Sequence, residues 1–456
     1  MAAAIAAAAG PGIRDAADGV LAGFWVAAAG QAREREGGED SDMVVAAGLA
    51  AAPYLLRRTD WDTTASLLDD ALRRDESPGV VAAALPALRR AAAAGGTPLH
   101  RFRLARALRF GGQVAEAEPL LRGALDAAVT AGDFPLASAA AGDLVYLLQG
   151  AGRLGEALAV AGELAGYSER AGLGPWTQLA DQGRRLQILA GMGEHEQVLA
   201  EAGVLRERMG RLPARPGPGE AVQPWNVREV ILDTGRVSAL ALGEWRQCLD
   251  LTAEVTASRR QRGAGLHELT RVRVNDTFPL IRLGRLGEAD GLLRECQQVF
   301  EDHHDTPRIA MVLSTRASLE NVSGRAGVAA DLARIAIRYS YAAAGPGDIA
   351  ISHYNLANYL GETGGDRAGQ RAHRLAAALI FRLTGMTHYL ADAQRALAAE
   401  LRAGPAADLP ATLAAVIQVA ELTDGVRLGD LIATLQPDPQ AAEQALAEIL
   451  RAADGG

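Results

Sequence analysis

Apolar and polar residues alternate along this chain with a helical period, interrupted at regular intervals by glycine. In one stretch Ala117, Leu120, Leu121 and Ala124 fall at i, i+3, i+4 and i+7, and in the next Ala157, Val160, Ala161 and Leu164 do the same. The set returns as Ala289, Leu292, Leu293, Cys296 and as Ala329, Leu332, Ala333, Ala336. Residues at those offsets share one face of a helix with 3.6 residues per turn. Ahead of each glycine a second apolar stripe runs, as in Leu104 and Leu108, or Leu144, Leu147 and Leu148. The pattern predicts helix, glycine turn, helix, repeated; strand-like runs rich in Val, Ile, Thr and Tyr are missing.

The turn itself recurs in sequence. Gly152-Arg153-Leu154-Gly155-Glu156-Ala157 is repeated as Gly284-Arg285-Leu286-Gly287-Glu288-Ala289 and, degraded, as Gly324-Arg325-Ala326-Gly327-Val328-Ala329. Anchoring on Gly112, Gly152, Gly193, Gly243, Gly284, Gly324 and Gly365 gives intervals of 40, 41, 50, 41, 40 and 41 residues. The long interval holds the Pro/Gly-rich insertion at 211–219. Two units fit less well. After Gly193 the stripe reads Val198, Glu201, Ala202, Leu205, with a carboxylate in it. After Gly365 the strict offsets give Gln370, His373 and Arg374, which is wrong for a buried face; moving on to Ala372, Leu375, Ala376 and Leu379 restores it and implies a longer turn.

A helix pair with a turn glycine followed by Glu-Ala, leucines on the first helix and small residues on the second resembles the tetratricopeptide repeat, in a long-helix form of roughly 40 residues. The resemblance covers about 100–385, and the last part of the chain is similar to helical tails of actinobacterial proteins of this class. It implies an all-α fold, a right-handed α-solenoid with helical caps: an irregular N-terminal cap at 1–97, about seven repeats at 98–385 and a C-terminal helical cap at 386–456. Within the first cap we expect a helix from about Ile13, a linker from Arg33 to Asp42 and a divergent unit over 43–95. Gly404-Pro405 is expected to end a linking helix, with three further helices over 409–422, 426–435 and 438–452.

Composition narrows the chemistry. All 46 basic residues are arginine. That removes the lysine of a P-loop, a kinase ATP site or a Schiff base, although a GC-rich genome explains the bias equally well. A net charge of −9 with both signs interspersed disfavours nucleic acid as partner; Arg101, Arg103, Arg106 and Arg109 read as a solvated or ion-paired helix face. Cys248 and Cys296 occupy small-residue rows and read as packing positions. The N-terminus lacks the features of a signal peptide and there is no run of 18 apolar residues, so no membrane span is expected and the protein is expected to be cytoplasmic. Glu301-Asp302-His303-His304-Asp305 is the densest set of potential metal ligands but sits at an exposed helix junction, and Asp69-Asp70 lacks the third acid of an aspartate-rich magnesium motif, position 73 being arginine. We therefore expect no metal, no cofactor and no catalytic residue.

What remains is a surface. Stacked helix pairs present their first helices along a concave side. Six residues before each anchor lie Arg106, Tyr146, Gln187, Val237, Phe278, Ser318 and Tyr359; ten before lie Phe102, Gly142, Gly183, Asp233, Val274, Ser314 and Asn355. The five asparagines, Asn226, Asn275, Asn321, Asn355 and Asn358, also fall in first helices, and amides can pair with a peptide backbone in both directions. Phe102, Arg106, Tyr146, Gln187, Asp233, Asn275, Phe278, Asn355 and Tyr359 are the candidate partner-binding residues. The expectation is a non-enzymatic scaffold or adaptor holding a protein or peptide in this groove, in a bacterial regulatory or effector system. The alternatives are a ligand-responsive sensor lobe of a regulator and an all-α enzyme.

Overall fold

The computed structural model describes residues 11–34, 38–217, 220, 222–403, 408–422 and 425–454. Among them every regular element is a helix. The chain divides into two compact units, Met1–Thr234 and Gly235–Gly456, with the boundary inside one long helix.

The first unit opens with α1 (Pro11–Glu34), α2 (Gly38–Arg57), α3 (Trp61–Leu72) and α4 (Pro78–Gly95). Hairpins α5/α6 (Pro98–Phe110, Val114–Ala131), α7/α8 (Phe134–Gly150, Leu154–Arg170) and α9/α10 (Pro175–Gly191, His195–Gly210) follow, then α11 (Pro224–Leu242), which carries the boundary. The second unit continues with α12 (Trp245–Gln261). It then pairs the broken helix α13 (Leu266–Arg273), 3-10 turn Val274–Asp276 and α14 (Thr277–Arg282) with α15 (Leu286–Asp302). Hairpins α16/α17 (Thr306–Val322, Ala326–Ala343) and α18/α19 (Pro346–Thr363, Arg367–Leu383) complete the regular array. After it come α20 (Thr387–Arg402), α21 (Leu413–Ala420), α22 (Leu428–Leu435) and α23 (Pro439–Asp454).

The turn glycines at 112, 152, 193, 243, 284 and 324 all adopt φ between 70° and 88°, a left-handed conformation that a Cβ resists. Each is followed two residues later by the start of the second helix. A further set of left-handed residues, Gly132, Gly172, Gly263 and His304, turns the chain from one hairpin into the next. The second-helix stripe is buried as the period requires, with one refinement. Positions i, i+4 and i+7 (Ala289, Leu293, Cys296 and their equivalents) are fully enclosed, while the i+3 residues Leu120, Val160, Leu292 and Leu332 are half-buried. Leu293→Ala is accordingly expected to cost about 3 kcal/mol through lost burial and a residual cavity, and Leu292→Ala clearly less. Equal losses at the two sites in urea unfolding would contradict this facing.

Three local expectations are corrected. The charged stretch from Arg33 to Asp42 is not a linker throughout: residues 35–37 lie outside the described residues, and α2 starts already at Gly38. The helix expected over 409–422 is shorter, α21 starting only at Leu413 after a Thr412 cap whose hydroxyl accepts from the Ala415 N–H. The close at Gly404-Pro405 lies outside the described residues. The third correction concerns Gly365. No longer turn is present, because α19 starts two residues after Gly365 as in the other units. The left-handed residue is instead Gly364, at φ 68°. His373 and Arg374 are buried alongside Ala372, Leu375, Ala376 and Leu379, since α19 is covered on its other side by Val416, Leu428, Ile432 and Leu446 of the C-terminal helices. Their polarity is met internally: Arg374 pairs with Glu400 at 2.9 Å and donates to Asn358 Oδ1 at 2.6 Å, and His373 Nδ1 lies 2.8 Å from His353 Nδ1.

The Pro/Gly-rich insertion is tied to the first unit by two contacts. Trp176 Nε1 donates to the Pro213 carbonyl at 3.0 Å. The Glu220 carboxylate accepts the backbone N–H groups of Trp176 (2.8 Å), Thr177 (3.1 Å) and Gly217 (2.6 Å). It thus caps the N-terminus of α9, whose own N-cap is Gly174 and has no side chain to offer. A Cβ at Gly174 would run into this carboxylate.

Candidate functional site

The first helices carry the candidate groove, and their two stripes behave differently. The ten-before stripe is mainly internal packing. Phe102 is 2% exposed and belongs to the core, with the Arg106 guanidinium 4.3 Å above its ring. Gly142 and Gly183 are close-approach positions: a Cβ on the first would lie 2.9 Å from Arg184 Nη1 and on the second 3.2 Å from Ile231 Cγ1. Val274 is buried, while Asp233, Ser314 and Asn355 are half-buried. The six-before stripe is the one that reaches solvent, at Tyr146 (46% exposed), Gln187, Val237 and Phe278 (41%).

Two members of the outer stripe are not available to a ligand in the way the spacing suggests. Arg106 is buried, its Nε 2.7 Å from Asp143 and its Nη1 3.1 Å from Asp69. Burial alone would weaken its hold on the proton; the two carboxylates outweigh this and strengthen it. Asp69 and Asp143 are also met by Arg73 and Arg109, at 3.3 Å each. The Asp69-Asp70 pair and the basic run 101–109 thus meet partly in one ion network. Tyr359 is 5% exposed and its hydroxyl lies 2.9 Å from Ser318 Oγ, its counterpart one repeat earlier.

The residues that do converge form two cavities, one in each unit. In the first, Tyr146, Gly183, Arg184, Gln187, Gln223 and Asn226 line a space of about 380 Å3 between α7, α9 and the start of α11. The Tyr146 ring is flanked by the Arg184 and Arg109 guanidinium groups at 4.7 and 5.7 Å. In the second, Phe278, Arg282, Ser318, Asn321, Asn355 and Tyr359 line about 510 Å3 between α14, α16 and α18, with Asn358, Glu362 and Gln370 also on its wall. Phe278 packs edge-on against Trp245 at 5.7 Å, which holds its ring upright. Asn321 Nδ2 donates to Glu362 at 2.9 Å, and its Oδ1 is buried without a partner. Asn275 is turned into its own helix, donating to the Arg271 and Val272 carbonyls.

Sequence reasoning missed Arg184, Arg282, Gln223 and Glu362, because it sampled two positions per helix and these lie on the turns between. It also missed the buried chain Ser138–Ser168–Asp181, in which Ser168 Oγ donates to Asp181 at 2.5 Å and meets Ser138 Oγ at 2.9 Å. Burial raises the Asp181 carboxyl above its ordinary value against the pull of Ser168. Ser168 is wholly enclosed, so this chain links α7, α8 and α9 and offers no hydroxyl to a substrate. Among the described residues no three His, Cys, Asp or Glu side chains are placed to hold a metal ion. Both cysteines are buried and neither forms a disulfide, and burial pushes the Cys296 thiol up to about 12. No described helix is long and apolar enough to cross a membrane.

No protein-family profile matches the chain, and no curated protein matches it. Solved structures do resemble it at low identity. A Signal Transduction ATPase with Numerous Domains (STAND) protein with a tetratricopeptide repeat sensor, from Pyrococcus horikoshii, aligns at 12% identity with a TM-score of 0.47. The alignment takes in 71% of this chain and only 50% of that one, so the chain spans half its length. The APC/C hetero-tetramer Cut9–Hcn1 aligns at 12% identity and TM-score 0.31 over 89% and 90% of the two chains. A circular tandem repeat protein aligns at 13% and 0.18 over 96% of each. The hairpins, their left-handed glycines and their forty-residue spacing make this chain an all-α, tetratricopeptide-like helical-repeat protein.

Proposed function

We propose that the chain is a non-enzymatic scaffold or adaptor that binds a protein or peptide partner along its first helices, serving a bacterial regulatory or effector system from the cytoplasm. The observation that carries this reading is that the solvent-reaching stripe opens into a cavity in each unit, each presenting an aromatic ring beside amides and arginine. Rigid rings supply buried area at low entropic cost, and amides satisfy a peptide backbone. Tyr146, Gln187, Phe278 and Asn355 make the direct contacts in this proposal; Phe102, Arg106 and Tyr359 hold the helices that present them. Asp233 and Asn275 are placed beside the same stripe.

Selection of a random peptide library on the intact protein tests it. Enriched peptides are expected to lose about tenfold or more in affinity with Tyr146→Ala or Phe278→Ala. Val204→Ala, at an exposed second-helix position, should leave binding unchanged. Failure to enrich, or enrichment indifferent to both aromatic substitutions, would remove the groove reading.

A further inference from the structure

A third cavity, of about 480 Å3, lies in the second unit between α13, α16 and α18, near the starts of the latter two helices. Arg271 and Arg308 line it, with Ser314, Thr315 and Ser352 contributing hydroxyls. What sets it apart is the state of its two cations. Most arginines of this chain with a described side-chain contact meet a carboxylate, yet neither Arg271 nor Arg308 makes an ion pair with any described residue. Among the described residues the hydrogen-bonding contact of the Arg308 guanidinium is to Met311 Sδ, a weak acceptor, at 3.7 Å.

Two carboxylates, Asp305 and Asp348, share the wall, and the charge of each partly offsets the lowering of the Arg308 proton affinity. Asp305 lies 2.9 Å from His267 Nε2 through Oδ2, and its Oδ1 accepts the Arg308 backbone N–H at the start of α16. Asp348 sits in the first turn of α18, where the helix dipole favours a negative charge. That helix begins at Gly345 without a side-chain cap; Pro346 has no N–H and the Asp348 and Ile349 N–H groups reach the Gly345 carbonyl, so Gly347 is the first-turn N–H left to face the cavity.

We propose that this cavity binds a phosphate monoester, its dianionic head held between the Arg271 and Arg308 guanidinium groups and the open N-terminus of α18. Two planar guanidinium forks match a group of nearly two negative charges and three acceptor oxygens better than they match a single carboxylate. The proton affinity of Arg308 agrees with a cation awaiting a partner: it is lowered, first by burial and next by the charge of Arg271. The negative charge of a bound dianion would oppose this lowering. The cavity is several times larger than a phosphate group, leaving room for the body of the ester, which either a small metabolite or a phosphorylated serine of a partner peptide could supply. The inference does not depend on the groove reading above, because none of its residues is among those assigned to the partner.

Isothermal titration calorimetry at low ionic strength, where such contacts are least screened, decides the matter. The probes are O-phosphoserine, a short phosphoserine peptide and the same peptide unphosphorylated, each against the wild-type chain, Arg271→Gln and Arg308→Gln. We expect saturable binding of O-phosphoserine at about 1 mM or tighter and a loss of about tenfold in each variant. If the phosphopeptide binds more tightly than O-phosphoserine, the source is a modified partner; if equally, a small organophosphate. No saturable binding of either phosphorylated probe, or unchanged affinity in both variants, overturns the proposal. Arg271 is exposed, so Arg271→Gln reads out binding even if Arg308→Gln disturbs the fold.

Discussion

Arg106→Ala is expected to destabilise the N-terminal unit by about 3–5 kcal/mol, the usual cost of removing one member of a buried ion network. The side chains of Arg106, Asp69 and Asp143 are 9%, 7% and 11% exposed, so water cannot replace the lost guanidinium. Asp69 and Asp143 sit on α3 and α7 and Arg106 on α5 between them, so one cation ties three consecutive first-position helices. Arg73 and Arg109 can take over part of the charge, which keeps the expected loss from being larger. The triple change Arg106→Leu, Asp69→Leu, Asp143→Leu should recover most of the stability, because well-packed apolar residues dispense with the desolvation cost. Hydrogen exchange of the α5 and α7 amides is the suitable measurement, since repeat arrays open locally. A loss under about 1 kcal/mol for Arg106→Ala would mean the carboxylates escape to solvent.

The second large effect is a pH dependence of the C-terminal unit in which two sites oppose each other. His353 on α18 is wholly buried. Its Nε2 is 3.0 Å from the Tyr341 hydroxyl on α17 and its Nδ1 2.8 Å from His373 on α19. Burial holds both rings well below the ordinary histidine range, helped by His373 acting on His353 and by Arg334 acting on His373. The Glu421 charge reaches this cluster through Tyr341, whose hydroxyl burial pushes up. The folded pair is therefore neutral while the unfolded histidines protonate near pH 6.5. Stability is lost as pH falls below that value, by about 1.4 kcal/mol per pH unit for each excluded proton.

Asp276, in the 3-10 break of the fifth first helix, has the opposite sign. Burial raises its carboxyl to about 6 against the pull of Thr252, Arg236, Arg273 and Arg285, and its Oδ1 has no partner. The folded state binds the extra proton, so stability rises as pH falls from about 6 towards about 4. The expected thermal profile is a steep loss just below pH 6.5, flattened below pH 6 where Asp276 begins to compensate. Asp276→Asn should raise stability at pH 7 by about 3 kcal/mol and remove that flattening. The double change His353→Phe, His373→Leu should abolish the loss between pH 6.5 and 5. Unfolding midpoints indifferent to pH over this range in the wild-type chain would refute the neutral-pair assignment.

The architecture was legible because it is written locally. A left-handed glycine every forty residues and an i, i+4, i+7 stripe of small residues specify a helix hairpin from its own backbone and its own face, whatever surrounds it. The burial of Cys248 and Cys296 could be placed on the same grounds. At Gly365 that logic failed. Whether His373 and Arg374 face solvent depends on the helices covering α19 and on partners contributed by Glu400, Asn358 and His353, residues distant in sequence.

The groove divides along the same line. Periodicity singled out a stripe of the first helices on which Tyr146, Gln187 and Phe278 reach solvent and Asn355 is half-buried. Only the packing of neighbouring helices decided that Phe102 is core, that Arg106 is spent on Asp69 and Asp143, and that Arg271 and Arg308 form no ion pair with a described residue. The repeat is a property of each segment's own spacing, and sequence alone determined it. The availability of a side chain depends on which charges and surfaces its neighbours bring within a few ångströms, and tertiary structure alone decided that.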